Sequence, residues 1–102
     1  MLRYDRVKLG KYLKAKRMEA DLSQGEVAKH LGYSSPQFVS NIERGASVIP
    51  IATLGRMVRL YNANPADVEK IILVSQEKIL LEDLRSYKLP KAKARAQNSR
   101  RL

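Results

Sequence analysis

The chain has 102 residues, of which 44% are hydrophobic and none is cysteine. This length predicts one compact domain, and the lack of cysteine excludes disulfides, thiolate metal sites and cysteine nucleophiles. The 20 Lys and Arg residues outnumber the 10 Asp and Glu residues, and the resulting charge of +10 favours a nucleic acid as partner ahead of an acidic membrane surface.

The first 32 residues predict two helices. Apolar residues recur at helical spacing over about residues 6–19, which predicts the first helix. Ser23 and Glu26 have the spacing of a capping box, in which each side chain accepts a backbone amide hydrogen at the start of a helix. The second helix is therefore predicted over about residues 24–31, and Gly32 suits the left-handed conformation that ends a helix.

A third, short helix is predicted over about residues 36–44. Ser35 can cap it, and Pro36 fits its first position because a missing amide hydrogen is harmless there. At 100° per residue, one side of this helix is apolar and carries Phe38, Val39 and Ile42. The other side is polar and carries Gln37, Ser40, Asn41 and Arg44.

The fourth and fifth helices are predicted to begin at Pro50 and Pro65, the latter after the cap residue Asn64. The buried stripe of the fourth helix is predicted to hold Ile51, Leu54, Val58 and Tyr61, with Met57 at its margin. The fifth helix, over about residues 65–87, carries two apolar stripes about 120° apart. The first stripe holds Val68, Ile71, Ile72, Ser75 and Ile79, and the second holds Leu73, Leu80, Leu84 and Tyr87.

A small domain can bury only one of these two stripes. We therefore expect the second stripe to form a homodimer interface over residues 73–87, in the manner of a short coiled coil. The alternative is a helix that bends back over its own domain.

Residues 88–102 contain six Lys or Arg residues and no acidic residue, and this composition predicts a disordered basic tail. The chain is thus divided into a domain with an extended C-terminal helix, residues 1–87, and the tail, residues 88–102. The tail is expected to add phosphate contacts that raise affinity without specificity. Alternatively, it is a solvating or partner-binding extension.

The second and third helices have the properties that DNA reading requires, since one helix must cross the backbone while the next presents polar side chains to base edges. Gln37 and Asn41 can each bond to N6 and N7 of adenine, and we predict that they read bases together with Ser40. The predicted backbone contacts are Gln24 and Ser35, which lie at helix N-termini, and the basic residues Arg44, Lys16, Arg17 and Lys29.

Three of these roles have alternatives. Arg44 could instead stabilise the C-terminal end of the third helix electrostatically. Phe38 shares a face with Ile42 and is expected in the core, although its ring edge could touch a thymine methyl group. Tyr33, in the turn, could reach a phosphate. Runs of charged residues are most often only solvated faces.

Residues 22–45 resemble the helix-turn-helix of the phage repressor and Cro superfamily, also called the XRE family. The resemblance rests on the Ser-Gln-x-Glu-x-Ala start, the glycine turn, the core pair Val39 and Ile42, and the closing Ile-Glu-Arg-Gly. With the five helices it covers about residues 7–74. It implies an all-α, lambda-repressor-like domain that usually binds operators as a dimer, with Gln24 anchoring a phosphate and recognition-helix roles for Ser35, Gln37 and Asn41. The turn before Val39 is one residue longer than in the phage repressors.

The sequence therefore predicts a transcription regulator of double-stranded DNA, most simply a repressor that binds a pseudo-palindromic operator as a dimer. An antitoxin-like regulator that also binds a protein partner is the alternative, and a non-specific nucleic-acid coating protein is a third possibility. An enzyme is not expected, because no catalytic set of side chains is recognisable. His30 has no second ligand nearby, so no metal or other cofactor is expected. The lack of a membrane span and of a secretory signal predicts a cytoplasmic protein.

Overall fold

The computed structural model of the chain describes residues 4–86. In this part of the chain five α-helices and no strand are present: α1 (Arg6–Glu19), α2 (Gln24–Leu31), α3 (Gln37–Glu43), α4 (Ile51–Leu60) and α5 (Pro65–Ser86). The predicted all-α, five-helix fold is confirmed, and each predicted helix bound that falls within these residues lies within one residue of the observed one. Tyr87 and the basic tail lie outside the described residues, so the division of the chain at residue 88 stays a prediction.

Side-chain caps determine where several helices begin. Both bonds of the predicted capping box are present, since the Glu26 amide donates to Ser23 Oγ at 3.0 Å and the Ser23 amide donates to Glu26 Oε1 at 2.8 Å. Asn64 Oδ1 accepts the amide hydrogen of Ala66 at 2.9 Å at the start of α5. Gly32 ends α2 with φ of +86°, a conformation that residues with a Cβ rarely adopt.

One apolar core joins all five helices. Its buried side chains belong to Leu9, Leu13, Val27, Ala28, Leu31, Val39, Ile42, Ile49, Leu54, Met57, Val58, Tyr61, Ala63 and Val68. Two expectations for α4 were wrong. Ile51 is 66% exposed, because it lies in the first turn beside a groove between α4 and α5 that the described residues leave open. Met57, predicted at the margin of the stripe, is fully buried.

The close approach of α1 and α3 fixes the position of the third helix. A Cβ atom built at Gly10 would lie 2.5 Å from the carbonyl oxygen of Ile42 and 2.6 Å from that of Glu43. Both contacts are too short for a carbon atom, so only glycine allows α1 to support α3 at this distance.

Helix α5 is apolar on two sides, as predicted. On the inner side Val68 and Ser75 are buried, and the Ser75 hydroxyl donates to the carbonyl oxygen of Ile71 at 2.7 Å. On the outer side the second stripe is exposed, by 58% at Leu73, 59% at Leu80 and 63% at Leu84. The helix is continuous to Ser86, so within the described residues it does not bend back over the domain. None of the described helices is long and apolar enough to cross a bilayer.

Candidate nucleic-acid interface

Three side chains on the outer face of α3 form one hydrogen-bonded group. Gln37 Nε2 donates to Asn41 Oδ1 at 2.9 Å, and Arg44 Nη2 donates to the same oxygen. Because a guanidinium can only donate, the oxygen of the Asn41 amide must face Arg44 and its two N–H donors must point elsewhere. Those donors and the side-chain oxygen of Gln37 have no partner among residues 4–86. The three residues, which we call the outer triad, thus present both hydrogen-bond donors and an acceptor to the solvent.

The start of α3 differs slightly from the prediction. The helix begins at Gln37 and not at Pro36, which is the residue before the first helical position and makes no side-chain cap. Ser35 does approach the helix, since its Oγ accepts the Gln37 amide hydrogen, but at a long 3.4 Å. Ser35 is exposed next to the outer triad, and Ser40 is partly buried at its edge.

The inner side of α3 is held by a buried carboxylate. Glu43 is 6% exposed and accepts hydrogen bonds from Arg17 Nε at 2.6 Å, from Arg17 Nη2 at 3.2 Å and from Gln24 Nε2 at 2.8 Å. Arg17 also donates from Nη1 to the carbonyl oxygen of Leu22 at 2.7 Å. This Glu43 cluster connects α1, α2 and α3, and sequence reasoning missed it.

The Glu43 cluster requires a correction to the predicted phosphate contacts. Arg17 is only 9% exposed, and its hydrogen bond to Glu43 raises the pKa of its guanidinium above the usual value. Its charge is neutralised inside the protein, so Arg17 is a structural residue and not a phosphate contact. The expectation was wrong because Arg17 lies within a basic stretch of sequence, where its distant acidic partner is not visible.

Tyr61 lies beside this cluster at the C-terminal end of α4. Tyr61 is 4% exposed, and burial, reinforced by the charge of Glu43, raises the pKa of its phenol well above the usual range. The phenol therefore stays neutral and adds no charge next to the Arg17–Glu43 pair.

The remaining predicted phosphate contacts differ in how free their charges are. Lys29 is exposed on α2 and has no ion-pair partner among residues 4–86. Lys16 lies 3.2 Å from Glu19 and 5.7 Å from the centre of the Tyr12 ring, and the hydrogen bond to Glu19 raises its pKa. Gln24, at the start of α2, is partly buried because Glu43 holds its amide group.

An aromatic pair at the start of α3 was not predicted as a pair. The rings of Tyr33, in the turn, and Phe38 stack with their centres 4.3 Å apart and their planes 18° from parallel. Phe38 also packs against the core, as expected. The two residues were considered separately because a turn of unknown conformation lies between them.

Comparisons with known proteins agree with this geometry. The profile of a helix-turn-helix domain family matches residues 8–71, more than half of the chain. The clp gene regulator ClgR from Corynebacterium glutamicum has a similar structure, with a TM-score of 0.60 and 25% identity over 74% of this chain and 96% of that one. The restriction-modification controller protein C.AhdI from Aeromonas hydrophila is similar with a TM-score of 0.55 and 26% identity, over 61% of this chain and 88% of that one. No curated protein sequence matches the chain significantly.

Proposed function

Because the chain belongs to the helix-turn-helix domain family and is a DNA-binding transcription regulator of the XRE type, we propose that it is a repressor that binds a pseudo-palindromic operator as a homodimer. In this proposal α3 enters the major groove, and the protein acts in the cytoplasm, where it meets its operator. The observation that supports it most directly is the outer triad, a set of polar groups on a helix whose inner side is fixed by the Glu43 cluster.

The outer triad has the hydrogen-bonding groups that recognise adenine. In the major groove adenine presents the N6 amino group as donor and N7 as acceptor. The free oxygen of Gln37 can accept from N6, while a free N–H of Asn41 can donate to N7. A good bidentate contact of this type is worth about 1–3 kcal/mol of discrimination against the wrong base. We propose that Gln37 and Asn41 read bases, with Ser40 at the edge of the same surface.

The backbone contacts in this proposal are the remaining predicted residues, chosen for an exposed charge or a place at the start of a helix. Lys29 and Arg44 supply exposed charges, and Ser35 and Gln24 lie at the starts of the two helices of the motif. Lys16 can contribute only by exchanging its partner Glu19 for a phosphate. These contacts set position and affinity, while Gln37 and Asn41 set sequence preference.

The homodimer is proposed from the exposed second stripe of α5. Leu73, Leu80 and Leu84 each keep more than half of their surface exposed, and they follow one another along one side of the helix. Burial of such side chains against a second copy contributes about 1.5–3 kcal/mol each when it is complete. In this proposal the dimer presents two copies of α3 to successive major grooves, roughly one helical turn of DNA apart. Tyr87, proposed for the same interface, lies outside the described residues.

Selection of bound duplexes from a random pool tests the base-reading proposal. We expect the wild type to select a two-fold symmetric site, and Gln37→Ala and Asn41→Ala to select different bases at defined positions. Lys29→Ala is the matched control. It should weaken binding to all duplexes alike and reduce the salt dependence by about one phosphate contact. Equal affinity of the wild type for selected and scrambled duplexes at physiological salt would contradict the proposal.

Sedimentation at micromolar concentration tests the dimer. We expect Leu80→Asp to be monomeric, because the interface would have to bury an unpaired carboxylate. Arg85→Asp, which introduces the same side chain on another side of α5, should stay dimeric. A wild type that sediments as a monomer, and whose sedimentation the Leu80→Asp change leaves unaltered, would refute the dimer. Co-purification of a second protein that Leu80→Asp releases would instead support the antitoxin-like alternative.

A further inference from the structure

The stacked rings of Tyr33 and Phe38, which we call the aromatic pair, have no role in the hydrogen-bonded surfaces described above. Tyr33 is 38% exposed, and Phe38 is partly exposed although its inner side packs against the core. The stack fixes both rings, because Phe38 is held between Tyr33 on one side and the core on the other. An apolar group is thus held rigidly at the solvent-facing start of the third helix.

The position of Phe38 on α3 places it next to the outer triad. At about 100° per residue, Phe38 lies roughly 60° around the helix from Asn41 and roughly 40° from Ile42. It therefore stands at the boundary between the polar outer face and the buried inner face. In the proposed docking, Phe38 is therefore the apolar side chain of α3 adjacent to the base edges that Gln37 and Asn41 would contact.

We infer that the aromatic pair reads the C5-methyl group of a pyrimidine in each half-site of the operator. The inference rests on the proposed function, in which α3 lies in the major groove. The C5-methyl of thymine is the apolar group that unmodified bases present in that groove, and Phe is among the side chains that contact it. The bases of a duplex are stacked, so their faces are not available to the rings. A methyl group at a base edge is what the edge of a fixed ring can cover.

Thymine and 5-methylcytosine present the same methyl group in the major groove, so the recognised chemistry is common to both. The aromatic pair would thus add an apolar contact to the polar contacts of the outer triad. Sequence preference at this position would not depend on a hydrogen bond.

Single replacement of thymidine by deoxyuridine in the selected duplex tests the inference, because it removes the methyl group and keeps base pairing. At one position per half-site we expect the wild type to lose about fourfold in affinity, which corresponds to the ~0.8 kcal/mol transfer free energy of one CH₂ group. Phe38→Ala should bind the two duplexes equally. Tyr33→Phe keeps both rings and should keep the wild-type ratio, and Lys29→Ala should weaken both duplexes by the same factor.

The ratio of the two affinities separates methyl recognition from a purely structural role. If Phe38→Ala merely destabilises the domain, both duplexes lose affinity and the fourfold ratio persists, which overturns the inference. Phe38→Leu provides a second variant, in which the packing of the side chain against the core is nearly kept. Its ratio of affinities for the thymidine and deoxyuridine duplexes should fall below that of the wild type. A wild type that retains its sequence preference but binds every deoxyuridine duplex as tightly as the thymidine duplex also overturns the inference and leaves the proposed function intact. Loss of all sequence preference overturns the proposed function itself.

A cytosine at the sensitive position identifies the source of the methyl group. If 5-methylcytosine there binds about fourfold more tightly than cytosine in the wild type but not in Phe38→Ala, the methyl group is read on either base. If only the thymidine duplex depends on Phe38, thymine is the source. Both results support the inference.

Discussion

Removal of the Glu43 carboxylate should be among the most destabilising single changes on α3. The Glu43 side chain is 2% exposed and that of Arg17 is 10% exposed, so Glu43→Ala would leave the guanidinium with neither water nor its counter-ion. The change also removes the acceptor of three hydrogen bonds. Breaking a buried pair by removing one partner costs about 3–5 kcal/mol. A domain of this size is stable by about 5–15 kcal/mol, so the loss amounts to roughly a fifth of its stability or more.

Urea unfolding followed by circular dichroism measures this effect, and the chain provides its own control. Lys16 and Glu19 form an ion pair on the same helix as Arg17, with side chains 29% and 65% exposed. Because water solvates both partners, Glu19→Ala should leave the urea midpoint nearly unchanged. The double change Arg17→Met with Glu43→Leu should recover most of the missing stability, since apolar groups of similar volume can replace a buried pair.

Two outcomes would refute this reasoning about the Glu43 cluster. The first is a decrease in the free energy of unfolding of less than about 1 kcal/mol in Glu43→Ala, which is the range of an exposed pair. The second is a double variant that is less stable than Glu43→Ala alone. The stability lost in Glu43→Ala would then come from poorer packing and not from the unpaired charge.

Four further predictions concern local geometry and charge. Gly55→Ala should raise the stability by about 0.5–1 kcal/mol in thermal unfolding, because the new Cβ meets no atom within 4 Å in the middle of α4. Gly10→Ala should lower the melting temperature, since its Cβ would lie 2.5 Å from a backbone oxygen; an unchanged value would contradict the observed approach of α1 and α3. The amide hydrogen of Ser23 lowers the pKa of Glu26, so the contribution of Glu26 is present above the ordinary carboxyl pKa and is lost as the pH falls through the lowered value. Glu26→Gln should therefore make stability less dependent on pH in acid, and an unchanged pH profile would argue against the box. Deletion of residues 88–102 should flatten the plot of log affinity against log salt by about 0.9 for each phosphate that the tail neutralises, whereas an unchanged slope would exclude phosphate binding by the tail.

The parts of the fold that the sequence predicts well depend on neighbours along the chain. The box formed by Ser23 and Glu26, the cap at Asn64 and the turn at Gly32 are each defined within four residues, so their spacing is sufficient to locate the helices. The exposed stripe of α5 is likewise a matter of helical phase, which needs no knowledge of tertiary structure.

The parts that sequence reasoning missed depend on contacts between distant residues. Arg17 and Glu43 are separated by 26 positions, and each looks locally like an ordinary surface charge. Periodicity likewise predicts that α4 has an apolar side but not how far its neighbours cover it. Ile51, predicted to be buried, is therefore exposed, and Met57, predicted at the margin, is buried. The positions of Gln37 and Asn41 were visible as an outward face, but the orientation of their amide groups was set by Arg44, which only the folded structure shows.

The anchoring of Glu43 from two sides limits how this regulator can acquire a new target. Any tilt or slide of α3 would pull the carboxylate away from α1 and α2 together, so re-angling the helix on DNA would disrupt the buried pair. In the proposed function, retargeting is therefore confined to exchanging side chains on the outer face, at positions 37, 40 and 41. On that proposal, specificity and stability belong to different faces of one seven-residue segment, and an engineer can vary the first while leaving the second alone.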